Sequence, residues 1–169
     1  MAHKVAIIMG SDSDLPIVEP ALDILKEFGI EHALRVISAH RSPQVAHDFA
    51  INAESCGFEV IIAVAGGAAH LGGVIASMTP LPVIGVPAPT NLAGGLDSLL
   101  SIVQMPSGVP VATMAVGEAG ARNAAVLAAQ IIGVSDPKVR QAVKDYKRSL
   151  AEKVAKKDAG LSSRGSVGF

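Results

Sequence analysis

The sequence predicts a doubly wound α/β fold, with five main strands in one parallel sheet between two layers of helices. Three observations carry this. Short apolar runs such as KVAIIM (Lys4 to Met9) and VIIAVA (Val60 to Ala65) recur along the chain. Each empties into a loop rich in Gly or Ser, and each loop is followed by a segment with helical apolar spacing. Runs that are apolar on both faces and alternate with helices belong to parallel sheets, because parallel neighbours need crossover connections and both faces must be covered.

The first strand, Lys4 to Met9, stops at Gly10-Ser11-Asp12. A helix then begins at Ser13 or Asp14, with Leu15, Val18, Leu22, Leu25 and Phe28 on one side and Gly29 as its stop. Pro16 suits the first turn, whereas Pro20 removes an interior hydrogen bond and predicts a bend or an irregular first turn. Ala33 to Ile37 reads as the second strand. Ser42 and Pro43 form an N-cap and N1 pair for a helix running towards Cys56. Val60 to Gly67 is the third strand and Ala68 to Ser77 the next helix. Pro82 to Val86 is the fourth strand, Leu96 to Val103 a helix, Val109 to Val116 the fifth strand and Ala119 to Ile132 a helix. Asp136 and Pro137 start a last, outer helix with a stripe of Val139, Val143, Tyr146, Leu150 and Val154. The chain therefore reads as one domain over residues 1–158, followed by a flexible tail over 159–169.

Composition sets further limits. At 169 residues, half of them hydrophobic, one substantial core is expected. Aromatic residues are only 3% and Trp is absent, so that core is built from Ala, Val, Ile and Leu. The formal net charge of −1, with basic residues gathered near the C-terminus, gives no electrostatic case for nucleic acid or an anionic membrane as partner. The single cysteine, Cys56, excludes an internal disulfide framework and fits a reducing compartment. The apolar run at the N-terminus is too short for a signal peptide, and no segment reaches transmembrane length, so the expected location is the cytoplasm. The stretch AGARNAAVLAAQIIG from Ala119 is small or apolar on nearly every face. Such a helix is ordinarily buried all round, which predicts burial against another subunit and hence a homo-oligomer.

With the flavodoxin-like strand order 2-1-3-4-5, a crevice opens beside the end of the first strand, where the chain changes sides of the sheet. Three loops meet there: Gly10 to Asp14, Ser38 to Pro43 and Gly66 to Gly73. Ser11 and Ser13, ahead of a helix, can bind phosphate through hydroxyls and free N–H groups, or Ser13 can simply cap the helix. Asp14 can accept hydrogen bonds from sugar hydroxyls or favour the helix dipole. Arg41 offers a five-donor fork for phosphate or carboxylate, with a surface salt bridge as the plainer alternative. His40 beside it is the candidate proton carrier, since imidazole ordinarily titrates at about 6.5. His70, beyond Gly66-Gly67 in a small-residue segment, reads as a substrate neighbour or a helix cap. His3, His32 and His47 lack such convergence and read as structural. The spacings of a Walker loop, a dinucleotide fingerprint, a zinc site and a serine-hydrolase elbow are all missing, so the sequence gives no positive case for a metal.

Several ordered blocks give the chain a close resemblance to the PurE family: MGSDSD at Met9 to Asp14, SAHRSP at Ser38 to Pro43 and AGGAAHLGG at Ala65 to Gly73. GLDSLLSIVQMPSGVPVATMAVG at Gly95 to Gly117 and ARNAAVLAAQII at Ala121 to Ile132 extend it. The likeness covers about the first four-fifths of the chain, and AAHL favours the mutase class of that family over the direct carboxylases. It implies conversion of N5-carboxyaminoimidazole ribonucleotide to 4-carboxyaminoimidazole ribonucleotide, without cofactor or metal, in an octamer. By matching motif, Ser11, Ser13 and Arg41 would hold the phosphate and Asp14 the ribose. Ser38, Gly66, Gly67, His70 and Leu71 would line the base and carboxylate pocket, and His40 would move the proton. The chain departs from the family in having Gly72 where proline is common, which predicts a looser pocket wall. Asp12 replaces a frequent lysine and Thr90 a usual serine. The alternatives are the direct carboxylase and, in another class, a flavodoxin-like module that holds a nucleotide without catalysis.

Overall fold

In a computed structural model that describes residues 4–162, the chain forms a five-stranded, all-parallel sheet flanked by six α-helices. The strands are β1 (Lys4–Met9), β2 (Glu31–Val36), β3 (Val60–Ala65), β4 (Val83–Pro87) and β5 (Ala112–Thr113). Their order is β2-β1-β3-β4-β5, as the doubly wound reading requires. The helices are α1 (Leu15–Glu27), α2 (Pro43–Asn52), α3 (Leu71–Ala76), α4 (Leu96–Val103), α5 (Glu118–Ile132) and α6 (Pro137–Ser162).

Strand side chains alternate between two cores. Val5, Ile7, Met9, Val60, Ile62, Val64, Ile84 and Val86 face α1, α5 and the start of α6. Ala6, Ile8, Ile61, Ala63, Ala65 and Val83 face α2, α3 and α4, a thinner set that draws those helices close. Gly85 takes this furthest, because a Cβ there would lie 2.5 Å from Cγ2 of Ile102 on α4.

Boundaries moved where local signals compete. β2 begins at Glu31 and ends at Val36, earlier than the apolar run suggested, because register with β1 pairs Lys4 with Glu31. As the edge strand it leaves Leu34 and Val36 exposed. β5 shrinks to two residues, since only Ala112 and Thr113 pair with β4. α2 ends at Asn52 and α3 covers only Leu71–Ala76. On α1 the buried face is Val18, Ala21, Ile24 and Leu25, while Leu15 is exposed. A 3-10 turn over Asp12–Asp14 precedes α1, and Pro20, where a bend or an irregular first turn was expected, is carried inside the helix.

The largest correction concerns α5. Its small residues Ala121, Ala124, Ala125, Ala128 and Ala129 are at most 1% exposed within this one chain, packed with α1, the sheet and α6. The composition that suggested a second subunit is thus explained by the chain's own core. α6 starts where expected, with the Asp136 carboxylate accepting from the N–H groups of Lys138 and Val139. Val139 and Val143 are buried, and Tyr146 meets Phe28 edge-on with ring centroids 5.4 Å apart. The stripe then runs out, leaving Leu150 and Val154 exposed. Helix continues to Ser162, into the segment read as tail; residues 163–169, and His3, lie outside the described residues. Among the described residues no helix is long and apolar enough to cross a membrane.

Gly120 is the tightest point, where an added Cβ would sit 1.7 Å from the carbonyl oxygen of Ala115. Backbone cannot yield as a side chain can, so Gly120→Ala is expected to cost at least about 2 kcal/mol of stability. Gly160→Ala, with nothing within 4 Å, should change it by about 1 kcal/mol or less, towards stabilisation. Urea unfolding of both variants against wild type checks the contrast.

Candidate active site

β1 lies between β2 and β3, so the connections leaving β1 and β3 depart to opposite faces and leave a cleft at their carboxyl ends. The cleft holds about 400 Å³. Its walls are the loops after β1, β2 and β3, the three that the sequence brought forward.

The loop after β1 supplies hydroxyls. Ser11, in extended conformation, caps the 3-10 turn by accepting from the Ser13 N–H, and the Ser13 hydroxyl donates to Ser11 Oγ at 2.8 Å. The cap is therefore Ser11, not Ser13. Asp14 follows half-buried, and burial pushes its carboxyl above the ordinary aspartate range. A backbone hydrogen bond from Ser11 opposes that shift and the Asp12 charge adds to it.

The loop after β2 is a hydroxyl-braced turn. Ser38 Oγ accepts from the Arg41 N–H at 3.1 Å, while Ser42 Oγ donates to the Ser38 carbonyl at 2.9 Å and accepts from its N–H at 3.2 Å. Ser42 stands at the N-cap position of α2, yet its side chain makes no cap bond because it closes this turn instead. The brace fixes the direction of the residues at the tip, His40 and Arg41. Arg41 reaches across to the β1 loop and donates to the Gly10 carbonyl at 3.1 Å.

The loop after β3 brings His70 to the start of α3. His40 Nε2 and His70 Nδ1 are 2.8 Å apart, with the rings edge-on at a centroid distance of 4.9 Å. In such a contact one nitrogen donates and the other accepts. Leu71 is 3% exposed and forms the floor.

Nine of the ten expected site residues line the cleft: Ser11, Ser13, Asp14 and Ser38 on one side, His40, Arg41, Gly66, His70 and Leu71 on the other. Gly67 does not. It sits at φ +65 with its N–H donated to Ser98 Oγ at 2.9 Å, and its carbonyl accepts from Ser101 Oγ at 3.2 Å. Both backbone groups are engaged by α4 hydroxyls, and the carbonyl also accepts from the Ala69 N–H at 2.8 Å. Gly72 is also away from the wall: an added Cβ would make ordinary contacts at 3.6 Å with Val111 and 3.7 Å with Ala63 under α3. The expected loosening of the pocket by Gly72 therefore has no structural basis. Gly10, Ala39 and Ala68, inside the three loops but not singled out as site residues, also line the cleft, as does Ala65 at the end of β3, which the reading missed. It also missed Ser98 and Ser101, for which no local signal exists, because their partner lies 31 and 34 residues away. Thr90 keeps a hydroxyl role by donating to the Asp97 carboxylate, which lowers the Asp97 pKa.

Two outcomes follow. Ser98 is fully buried, so Ser98→Ala strands the Gly67 N–H and is expected to cost about 1–3 kcal/mol, read by urea unfolding. Because the Asp14 carboxyl is raised in the fold, the folded state binds its proton more tightly than the unfolded chain does. Its contribution is most favourable below the unfolded aspartate value and is lost as pH rises through the raised one. Asp14→Asn should accordingly stabilise the protein at neutral pH, with the gain shrinking as thermal melts are repeated towards acid.

Comparison with known proteins places this geometry. The chain is 54% identical over 162 residues to the N5-carboxyaminoimidazole ribonucleotide mutase of Thermotoga maritima, covering 96% of this chain and 94% of that one. It is 53% identical to the protein of the same name from Mycobacterium tuberculosis, over 94% of this chain and 90% of the other. Among solved structures, PurE of Treponema denticola superposes with a TM-score of 0.85 at 32% identity, covering 94% of this chain and 98% of that one. The family model described as AIR carboxylase matches residues 4–153, nearly the whole described fold with all three cleft loops, and the chain is a member of that family.

Proposed function

We propose that this chain is an N5-carboxyaminoimidazole ribonucleotide mutase that forms 4-carboxyaminoimidazole ribonucleotide in de novo purine biosynthesis. The observation that carries the reading is the 2.8 Å approach of His40 Nε2 to His70 Nδ1 inside a cleft of about 400 Å³. Mutases more than half identical over nearly the full length support the choice of reaction.

In this reading the Ser11 and Ser13 hydroxyls and the Arg41 guanidinium hold the phosphate, and Asp14 holds the ribose hydroxyls. Ser38, the Gly66 backbone and Leu71 surround the base and its carboxylate. The N5–carboxylate bond breaks with its electron pair left on N5, which takes a proton from the His40–His70 pair, and carbon dioxide stays enclosed. C4 of the imidazole then forms the new bond to carbon dioxide, and the C4 hydrogen leaves as a proton to His40. One proton is taken up and one released, so the His40–His70 pair ends the cycle as it began. Enclosure supplies effective concentration, and fixed donors stabilise the developing carboxylate. No oxidant or phosphoryl donor enters this balance.

A direct carboxylase remains the second reading, favoured by the description of the family model itself. The two separate when product formation from N5-carboxyaminoimidazole ribonucleotide is compared with that from aminoimidazole ribonucleotide plus bicarbonate. Preferential use of the uncarboxylated compound at low carbon dioxide would establish the carboxylase.

His40→Asn keeps a polar side chain without an effective base. It is expected to lower isomerisation by about 10²–10⁴-fold in both directions, with ribonucleotide affinity changed by less than about threefold. Near-wild-type isomerisation would remove His40 from the proton transfer and make His70 the next residue to test.

The assembly read from the family resemblance is a closed homo-oligomer, an octamer, working in the cytoplasm. Support for assembly comes from an apolar stripe on the outer face of α4 and the loop before it. Leu92, Leu96, Leu100 and Val103 are 61%, 45%, 49% and 47% exposed at helical spacing. Light scattering should return a mass near eight chains, and Leu100→Glu should lower it; a stable wild-type monomer at micromolar concentration would refute assembly.

A further inference from the structure

We propose that the basic face of α6 is a second ligand site, for a small organic anion of nucleotide size that carries phosphate on an apolar or planar body. Arg140, Lys144 and Lys147 follow one another at i, i+4 and i+7 and therefore project from one side of the helix. They rim a cavity of about 370 Å³ whose other walls include Gln130 and the valines Val134 and Val143. The cavity shares no residue with the catalytic cleft.

Three like charges at this spacing repel one another unless something negative relieves them. Among the described residues none of the three forms an ion pair. The one acid within this stretch of α6, Asp145, is held by Arg148 at 2.6 Å and by Gln141 at 3.1 Å. Arg140 spends one weak contact, 3.4 Å, on the Val134 carbonyl.

The surroundings indicate what kind of anion fits. Val134 is 78% exposed beside the cations, while Val143 is buried at 7%, so an apolar surface lies next to the charges rather than beneath them. A bare inorganic ion would leave that surface wet, whereas a ligand with a hydrophobic or planar body covers it. The wider field points the same way. Residues 1–136 contain five Lys and Arg against twelve Asp and Glu, and residues 137–169 contain nine against three. A nearly neutral protein thus concentrates its basic residues in the segment that carries α6, where they favour anions.

The test uses the full chain, adenosine triphosphate as the phosphate-bearing probe and inorganic triphosphate as the probe without a body. Binding is read by calorimetry at low and at physiological salt. Lys144→Gln with Lys147→Gln should weaken adenosine triphosphate binding at least tenfold. Lys156→Gln with Lys157→Gln, on the same helix but outside the cavity, should leave it unchanged. Affinity should fall with salt, inorganic triphosphate should bind at least tenfold more weakly, and isomerisation without the probe should be unaffected by either pair. Equal affinity in both pairs would overturn the proposal. So would loss of binding in Arg41→Gln, which would place the probe in the catalytic cleft, or a fall in mass by light scattering for the Lys144 and Lys147 pair, which would assign this face to a second copy.

Discussion

The position of β1 between β2 and β3 governs the rest of the molecule. Its ladder to β2 runs from Lys4 with Glu31 to Met9 with Val36, and its ladder to β3 from Val5 with Val60 to Met9 with Val64. Both ladders are parallel, so three carboxyl ends emerge together, and the next residues of all three strands become neighbours however distant in sequence. That is why His40 and His70, thirty positions apart, meet at hydrogen-bond distance. The polar chemistry needs no polar core to support it. The loops that carry Ser11, Ser13, Asp14 and His70 are rooted in buried strands, β1 and β3, while the loop of His40 and Arg41 leaves the exposed edge strand β2.

Packing is the second constraint, and it is met by removing side chains. Gly85 admits α4 against β4, and Gly120 admits the first turn of α5 against the Ala115 carbonyl. The alanine face of α5 lies between α1 and the sheet. A core with few rings obtains its contacts by bringing backbones close. Such a core tolerates added volume poorly, because the nearest atoms are often main chain.

Most of this was legible in the chain because strand and helix periods, loop punctuation and motif blocks agreed. β1, α4 and the start of α6 fall where the apolar spacing and the Asp136-Pro137 pair put them. Failures came where the deciding partner was remote. The short β5 could not be told from its apolar flanks, since pairing with β4 alone limits it. α5 looked like an interface because sequence shows how small its residues are, but not that α1 and α6 fill the space around them. The site was legible at the level of loops and less so at the level of atoms. Gly67 belongs to the right motif and faces the wrong way, for reasons written at Ser98 and Ser101. Ser42 was read as a cap and turned out to brace the His40 turn.

The two serines that hold Gly67 give α4 a double aspect. Ser98 and Ser101 face inward, and Leu96, Leu100 and Val103 face outward on the same two turns. A short helix moves as a rigid rod, so its inner hydrogen bonds cannot stay fixed while its outer face is displaced. The helix that holds the glycine turn before His70 is thus the same one that offers the exposed leucines, so the site and that surface are separated by the width of a single helix.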